Sequence, residues 1–597
     1  KKERTVFADT INALNSGLNN LTVTLETPEN SIIMDYIEVI YEKRLVANEN
    51  KLFITKDESS LKNYTAEGFS SDPYILNISN SKNPSLVSHF FNNGNAIFST
   101  SSRKTLLQSS PYSIEGISLK DPTSLFQGGA DWIVITDKQF IIPASRLKNW
   151  RGNHIRGISS PQTRLIEIDE IYDNFSYGVK DPSAIKRFLY WTQENWNTPV
   201  SYVLLFGDGS YDDKNLTGTG KTSFIPVHTE GTTIYGTGYL SANPSWDSWF
   251  VDFNEDRIQD IPIGRVTVSN ATEGNGWADK LIDYEKSTGS WRMKAILLAD
   301  DAIKSGRDPS GETDHTVLME DISNTLPDWI YQDKIYLMEY TMSSGGTKPE
   351  AREDHLESMS DGALVGFYLG HGNLMQITDE KALEINDINR FSNWRKAPIY
   401  YFGSCEVGYF ERPEQDCIGG KSNLYKDGGN IVSIAAGRAT GYTNNGELGE
   451  RIAEYLFNNS VFAAGDAFLL AKEEKGHYTY TFFGDPATSI LIDSTYLGVT
   501  IPDTAVGGRY LKIEGIAETS ADKIFCFINE AQYDTVLDAS EGTDTFIPIT
   551  IKKEGKALFR GSAPIINDSF SLQINIPYNI QSDSGRISLY SRGEKYN

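Results

Sequence analysis

Leu364-Val365-Gly366-Phe367-Tyr368-Leu369-Gly370-His371-Gly372 and Pro398-Ile399-Tyr400-Tyr401-Phe402-Gly403-Ser404-Cys405 are the two stretches that decide how this 597-residue chain is read. Each is a short apolar run that ends abruptly in glycine and then in a reactive side chain. Continuous apolar runs of this length read as strands buried on both faces, the habit of parallel sheets covered by helices. In such sheets ligands gather beyond the carboxyl ends of the strands, which is where His371 and Cys405 stand. If the two strands are neighbours, imidazole and thiol face one cleft. A cysteine nucleophile needs a base or cation nearby to hold it as thiolate. An imidazole supplies that, and then protonates the leaving amine. Gly372 bares a backbone N–H that, with the N–H of Cys405, offers a seat for a tetrahedral oxyanion.

Outward from these runs the same rhythm recurs. The apolar run 132–136 is followed by a helical stretch over 143–150, a strand over 165–168 and a helix over 181–195, opened by Asp181-Pro182-Ser183. The run 202–206 then ends in Gly207-Asp208-Gly209. A second block begins with 296–299, which ends in Asp300-Asp301. Its further expected elements are a helix over 315–325, strands over 363–369, 399–402 and 430–435, and helices over 449–458 and 461–475. The fold class is therefore multidomain α/β plus all-β, with α/β blocks at 128–290 and 291–498. Short alternating runs such as 21–25 and 36–41, dense in turn residues, predict a β-sandwich over 1–127. A second, Ig-like sandwich is expected over 499–597, from runs at 525–528, 545–552 and 570–576. The chain stops just after the strand-like 587–590, which suggests a fragment of a longer precursor.

Hydrophobic residues make up 39% and charged residues 23%, a globular composition. The formal net charge of −25 argues against nucleic acid and anionic membrane surfaces as partners. No apolar run reaches the roughly 18 residues of a transmembrane helix, and the first residues lack an apolar signal core. Cys405, Cys417 and Cys526 are too few, and odd in number, for a disulfide scaffold; Cys417 reads as a loop thiol and Cys526 as a core residue of the last sandwich. Gly218-Thr219-Gly220-Lys221-Thr222 has Asn215 where a phosphate loop needs its first glycine. Asp252, Asn254 and Asp256 are spaced like a calcium loop. Arg257 and Ile263 stand where an EF-hand needs glycine and glutamate, leaving a Ca²⁺ site of another kind open. No cofactor is required by this chemistry. The remaining histidines, His89, His154, His228, His355 and His477, show no metal-ligand spacing.

An apolar strand, His-Gly, and a second apolar strand ending in a small residue and Cys resemble the caspase–gingipain clan. Tyr368-Leu369-Gly370-His371-Gly372 is similar to the gingipain His motif, and Cys405-Glu406-Val407-Gly408-Tyr409-Phe410 to its Cys motif. Val203 to Asp208, Ile263-Gly264-Arg265 and Phe483-Gly484-Asp485-Pro486 resemble three further family blocks. The resemblance implies a caspase/gingipain-like α/β/α peptidase domain flanked by β-sandwich domains. It also implies that Asp301 orients His371 and that Asp314 reads a basic substrate side chain; His315 beside it reads as a surface or helix-start residue. Within the family the flanks are similar to the PorU-type sortases of the type IX secretion system, notably 557–563 and 131–135 followed by 144–147. That group implies an enzyme on the outer face of the outer membrane, working with other secretion components. It would cleave the C-terminal sorting domain from protein cargo and pass the new carboxyl to an amine of anionic lipopolysaccharide or a similar polysaccharide. Two other readings stay open: a gingipain-like endopeptidase that only hydrolyses, and a non-catalytic surface binding protein on a peptidase fold.

Overall fold

The computed structural model describes residues 44–591 apart from 57–58, 81–82, 110–124, 217, 230–232, 235–239, 242–244, 302–313, 459, 473–478, 491–496, 518–520, 538–547 and 581–583. It comprises two compact units that divide near residue 121. The first is a pair of small antiparallel sheets. Lys51–Thr55, Lys104–Gln108, Tyr74–Asn77 and Ser85–Leu86 form one; Lys62–Ala66, Asn95–Thr100 and His89–Asn92 form the other. Alternate residues such as Leu52, Ile54, Ala96 and Phe98 point into a shared core, as half-buried strands require. The runs 21–25 and 36–41 lie outside the described residues.

The second unit is built on one ten-stranded sheet. In chain order its strands are β1 (Trp132–Thr136), β2 (Thr163–Glu167), β3 (Tyr202–Phe206), β4 (Ile263–Val266), β5 (Lys294–Ala299), β6 (Tyr331–Tyr336), β7 (Val365–Leu369), β8 (Ile399–Gly403), β9 (Val432–Ala436) and β10 (Tyr480–Phe483). They lie side by side as β6-β5-β7-β8-β9-β10-β4-β3-β1-β2. Every residue of β1, β3, β5, β7, β8, β9 and β10 is buried, which is why they read as unbroken apolar runs. All neighbours are parallel except β9 and β10, so the two halves of the sheet run in opposite directions. The half made of β5 to β9 delivers its carboxyl ends to the edge that carries His371 and Cys405.

The helices are α1 (Ile141–Arg151), α2 (Ile168–Phe175), α3 (Pro182–Asn195), α4 (Ala271–Lys286), α5 (Asp314–Thr325), α6 (Pro349–Asp361), α7 (Ile418–Leu424), α8 (Tyr442–Leu456) and α9 (Ala464–Ala471). The start signal of α3 works as expected: Asp181 accepts the Ser183 N–H at 2.9 Å and Pro182 takes the first position. α8 begins at Tyr442, seven residues before the expected 449. Asn444, Asn445 and Gly446 look like a loop, but Gly446 lies where α8 meets α5, and a Cβ there would stand 2.8 Å from Leu318 Cδ2.

Two of the family-like blocks turn out to be buried polar clamps. Asp485, just past β10, accepts Trp132 Nε1–H at 3.0 Å and Arg151 Nε–H at 2.7 Å, and Arg151 also reaches Glu285 at 3.0 Å. Arg265 in β4 binds both oxygens of Asp247 at 2.7 Å and the carbonyls of Gly207, Ile225 and Pro226. Both arginines are fully buried, so pairing is obligatory. Lys280 of α4, also fully buried, places its ammonium on the carbonyls of Ser422, Asn423, Tyr425 and Asn430, at the carboxyl end of α7.

Downstream, Leu497–Thr500, Tyr510–Ala517 and Ser569–Asn575 form one antiparallel sheet; Ala557–Pro564, Lys523–Asn529 and Arg586–Ser591 form another. Leu511, Ile513, Phe570 and Cys526 lie in their common core, where Cys526 was expected. A hairpin of Tyr533–Leu537 and Ile549–Lys553 sends Leu537 and Ile551 into the hydrophobic core of the large sheet.

Candidate active site

β7 and β8 are hydrogen-bonded parallel neighbours with Leu369 opposite Gly403. His371 and Cys405 each follow two residues later, so they leave adjacent strands at the same height, about 4.8 Å apart in strand spacing. The Gly370 N–H still reaches the Gly403 carbonyl at 3.3 Å. Both side chains are half-buried. The strand ends therefore bring residues 371 and 405 to one edge of the sheet, on neighbouring strands.

Each partner is held by its own shell. The His371 N–H donates to Asp300 Oδ2 at 2.8 Å. Its carbonyl accepts Tyr368 Oη–H at 2.5 Å and the Thr378 N–H at 2.9 Å. The Cys405 thiol faces the loop after β9: the Thr440 N–H points at Sγ from 3.4 Å, and Sγ lies 3.7 Å from the Thr440 carbonyl. Glu406, next to Cys405, has φ +58°, a left-handed turn in a residue other than glycine. It throws the chain sharply back, and the Gly408 N–H then bonds the Ala436 carbonyl at 2.8 Å. Gly372 packs against this turn: a Cβ there would sit 2.5 Å from Ser404 Oγ and 3.0 Å from Val407 Cγ2. Among the described residues neither the Gly372 nor the Cys405 N–H has an acceptor, which leaves two amides for a developing oxyanion.

Acidic groups gather behind the histidine. Asp301, expected to orient His371, is ion-paired with Lys348, and both side chains are 1% exposed. Lys348 also donates to the Leu337 carbonyl at 2.9 Å. The carboxylate of Asp300, one residue earlier, accepts the His371 backbone N–H. Burial, and next the Glu380 carboxylate, push the Asp300 carboxyl well above the usual range. Burial, then Asp301, raise Glu380 to about 7. Asp300, Asp301 and Glu380 each offer an oxygen within 4.8 Å of the others; the Lys348 ammonium already serves there as a cation.

His315 stands at the start of α5, one of its two expected places, and not at the surface. It is buried, and its ring meets the His371 ring edge-on at 5.5 Å and Tyr442 at 6.3 Å. A lone histidine at a helix start carries no sequence signal for such a place. Asp314 opens α5; its side chain lies outside the described residues.

Asp252, Asn254 and Asp256 share one loop whose oxygens serve its own amides. Asp252 accepts the N–H groups of Asp256 and Arg257, Asn254 that of Asp256, and Asp256 that of Ile258. Among the described residues no three acidic, histidine or cysteine groups converge there. Lys221, in the phosphate-loop look-alike, pairs with Asp208 at 3.1 Å and donates to the Phe410 carbonyl at 2.6 Å. It thereby ties the segment after Cys405 to the first half of the sheet. Cys417 is buried, and burial pushes its thiol up to about 12, so it behaves as an inert packing residue.

The chain resembles the complex of the pro- and mature domains of RgpB from Porphyromonas gingivalis, at 16% identity over 75% of this chain and 94% of that one, with a TM-score of 0.45. It also resembles the Arg-specific cysteine proteinase gingipain R, at 15% identity over 79% and 99%, with a TM-score of 0.46. No curated protein matches it. The model of Peptidase family C25 matches residues 127–491, well over half of the sequence and the whole of the ten-stranded sheet. The chain is a member of peptidase family C25, a family of cysteine peptidases.

Proposed function

We propose that Cys405 is the nucleophile of this peptidase and His371 its general base and acid. The observation that carries this is the register of β7 and β8, which sets the two residues at equal height on adjacent strand ends. The imidazole takes the thiol proton, and the sulfur attacks the peptide carbonyl. The Gly372 and Cys405 N–H groups receive the oxyanion. On collapse the protonated imidazole gives its proton to the leaving amine, and an acyl-enzyme remains. Asp300 holds the His371 backbone and is a positioning residue. Asp301 and Asp314, as orienter and substrate reader, belong to this reading as resemblance implies them.

The fuller reading is a sortase of the type IX secretion system on the outer face of the outer membrane. It would remove the C-terminal sorting domain of protein cargo and transfer the new carboxyl to a polysaccharide amine such as that of anionic lipopolysaccharide. What supports it is the order of β-rich regions before and after the family domain in the chain and the similarity of 131–135, 144–147 and 557–563 to that group. Calcium is not needed for any step. The test is incubation of the full chain, and of Cys405→Ala, with cargo bearing a sorting domain, followed by mass spectrometry of the new carboxyl terminus. A linked sugar supports transfer, a free carboxyl supports a hydrolytic endopeptidase, and cleavage by Cys405→Ala removes the assignment altogether.

A further inference from the structure

The Gly372 N–H is one end of a planar unit whose other end is the His371 carbonyl. In a trans peptide the two point in opposite directions, so whatever grips the carbonyl aims the N–H. The grip is double: Tyr368 Oη–H at 2.5 Å and the Thr378 N–H at 2.9 Å. The Thr378 amide also reaches Tyr368 Oη, at 3.2 Å, so the three groups brace one another. Gly372 faces Ile377 across a small hairpin, but the rungs are made by Asn373 and Thr378 on either side. The Gly372 N–H is thus turned out of the hairpin, while Gly372 itself rests on the turn that carries Cys405.

Tyr368 supplies the side-chain half of that grip, and its place is fixed. It is the second-last residue of β7, fully buried, and its hydroxyl fills the space over Gly370 that a Cβ would need. A hydrogen bond to a carbonyl in a low-dielectric site also polarises the peptide and makes its N–H a stronger donor.

Resting on the peptidase reading above, we propose that Tyr368 is a positioning residue of the oxyanion hole, whose hydroxyl fixes and polarises the His371–Gly372 peptide so that the Gly372 N–H meets the oxygen of the tetrahedral intermediate. It touches neither substrate nor thiol.

The test compares full-length wild type with Tyr368→Phe using two probes. Iodoacetamide alkylates Cys405 by displacement at carbon, with iodide leaving and no oxyanion formed; it reports on the cysteine and histidine alone. Fluorescein-labelled unfolded casein, read for kcat and KM, passes through the oxyanion. The expected result is alkylation and KM within about twofold of wild type, with kcat lowered about tenfold. That is less than the roughly 10²–10³ for deleting a donor outright, because the Thr378 N–H still grips the carbonyl. Unchanged kcat overturns the proposal. So does alkylation that slows in step with kcat, since Tyr368 would then serve the dyad or the fold. Should Tyr368→Phe not fold, ring-fluorinated tyrosines introduced at 368 keep the shape and strengthen the donor. The proposal then requires kcat to rise along the series, and a fall or a flat response sinks it. Wild type whose Cys405 ignores iodoacetamide, or Cys405→Ala that still cuts casein, would instead overturn the peptidase reading itself.

Discussion

Replacing Gly372 by alanine presses on the joint between the two halves of the proposed catalytic pair. The added Cβ would lie 2.5 Å from Ser404 Oγ and 3.0 Å from Val407 Cγ2, whereas carbon atoms pack at about 3.5–4.0 Å. The histidine hairpin and the cysteine turn must therefore part by roughly 1 Å. A misplacement of that size costs about a hundredfold in rate, or about 2.7 kcal/mol of transition-state stabilisation. The fold should lose less, about 1–3 kcal/mol as for other overpacked sites. The hairpin keeps its bonds to Asp300, Tyr368 and Thr378 as it moves. The assay is kcat/KM on labelled unfolded casein beside a thermal melt of the same preparation. Ser404→Gly in the same chain removes the closest obstacle and should return most of the lost activity. Gly372→Ala that is as active as wild type would refute the reasoning, and so would a loss that Ser404→Gly leaves untouched.

Three further outcomes follow from the buried charges. Asp485→Ala leaves the fully buried Arg151 with one carboxylate instead of two and strips Trp132 of its acceptor; urea unfolding followed by tryptophan fluorescence should show a loss of about 3–5 kcal/mol. Lys280→Met keeps the length of the side chain but takes the ammonium from four carbonyls, of which, among the described residues, only that of Ser422 keeps another donor, the Asn430 N–H; a loss of about 3 kcal/mol is expected, and a much smaller one in the same urea experiment would show that α7 does not need the ammonium. Glu380 holds its proton to about 7 in the folded chain, against 4.5 for an ordinary glutamate. Folding thus binds a proton between those values, and stability falls as pH rises from 4.5 to 7. Glu380→Gln should accordingly raise the melting temperature at pH 8 and leave it nearly unchanged at pH 4; equal shifts at both would contradict the assignment.

How much of this was legible beforehand differs from residue to residue. β7 and β8 were plain because a strand buried on both faces writes itself as an apolar run, and the switch to Gly-His or Ser-Cys marks the point where it leaves the sheet. The start of α3 was equally plain, since Asp181, Pro182 and Ser183 act on their own neighbours. The start of α8 was hidden because Gly446 answers to Leu318, more than a hundred residues away, and not to its own helix. Asp485 and Arg151 are separated by 334 positions, so no local pattern shows that a family-like block is a clamp. Asp300 and Asp301 stand side by side, and no pattern in the sequence tells that the first accepts the His371 N–H while the second pairs with Lys348. His315 acquires its importance from the packing of α5 against the site, which no spacing in the chain announces.

The opposed halves of the large sheet meet through β10, flanked by β9 on one side and β4 on the other. β10 is also the last of the ten strands in the chain, so a ribosome finishes both halves before it makes the piece that joins them. Until then β4 and β9 are open edges, able to pair with foreign strands. A nascent chain halted before residue 480 should therefore clump rather than fold, and readiness to cut would be withheld until nearly the entire family region has emerged.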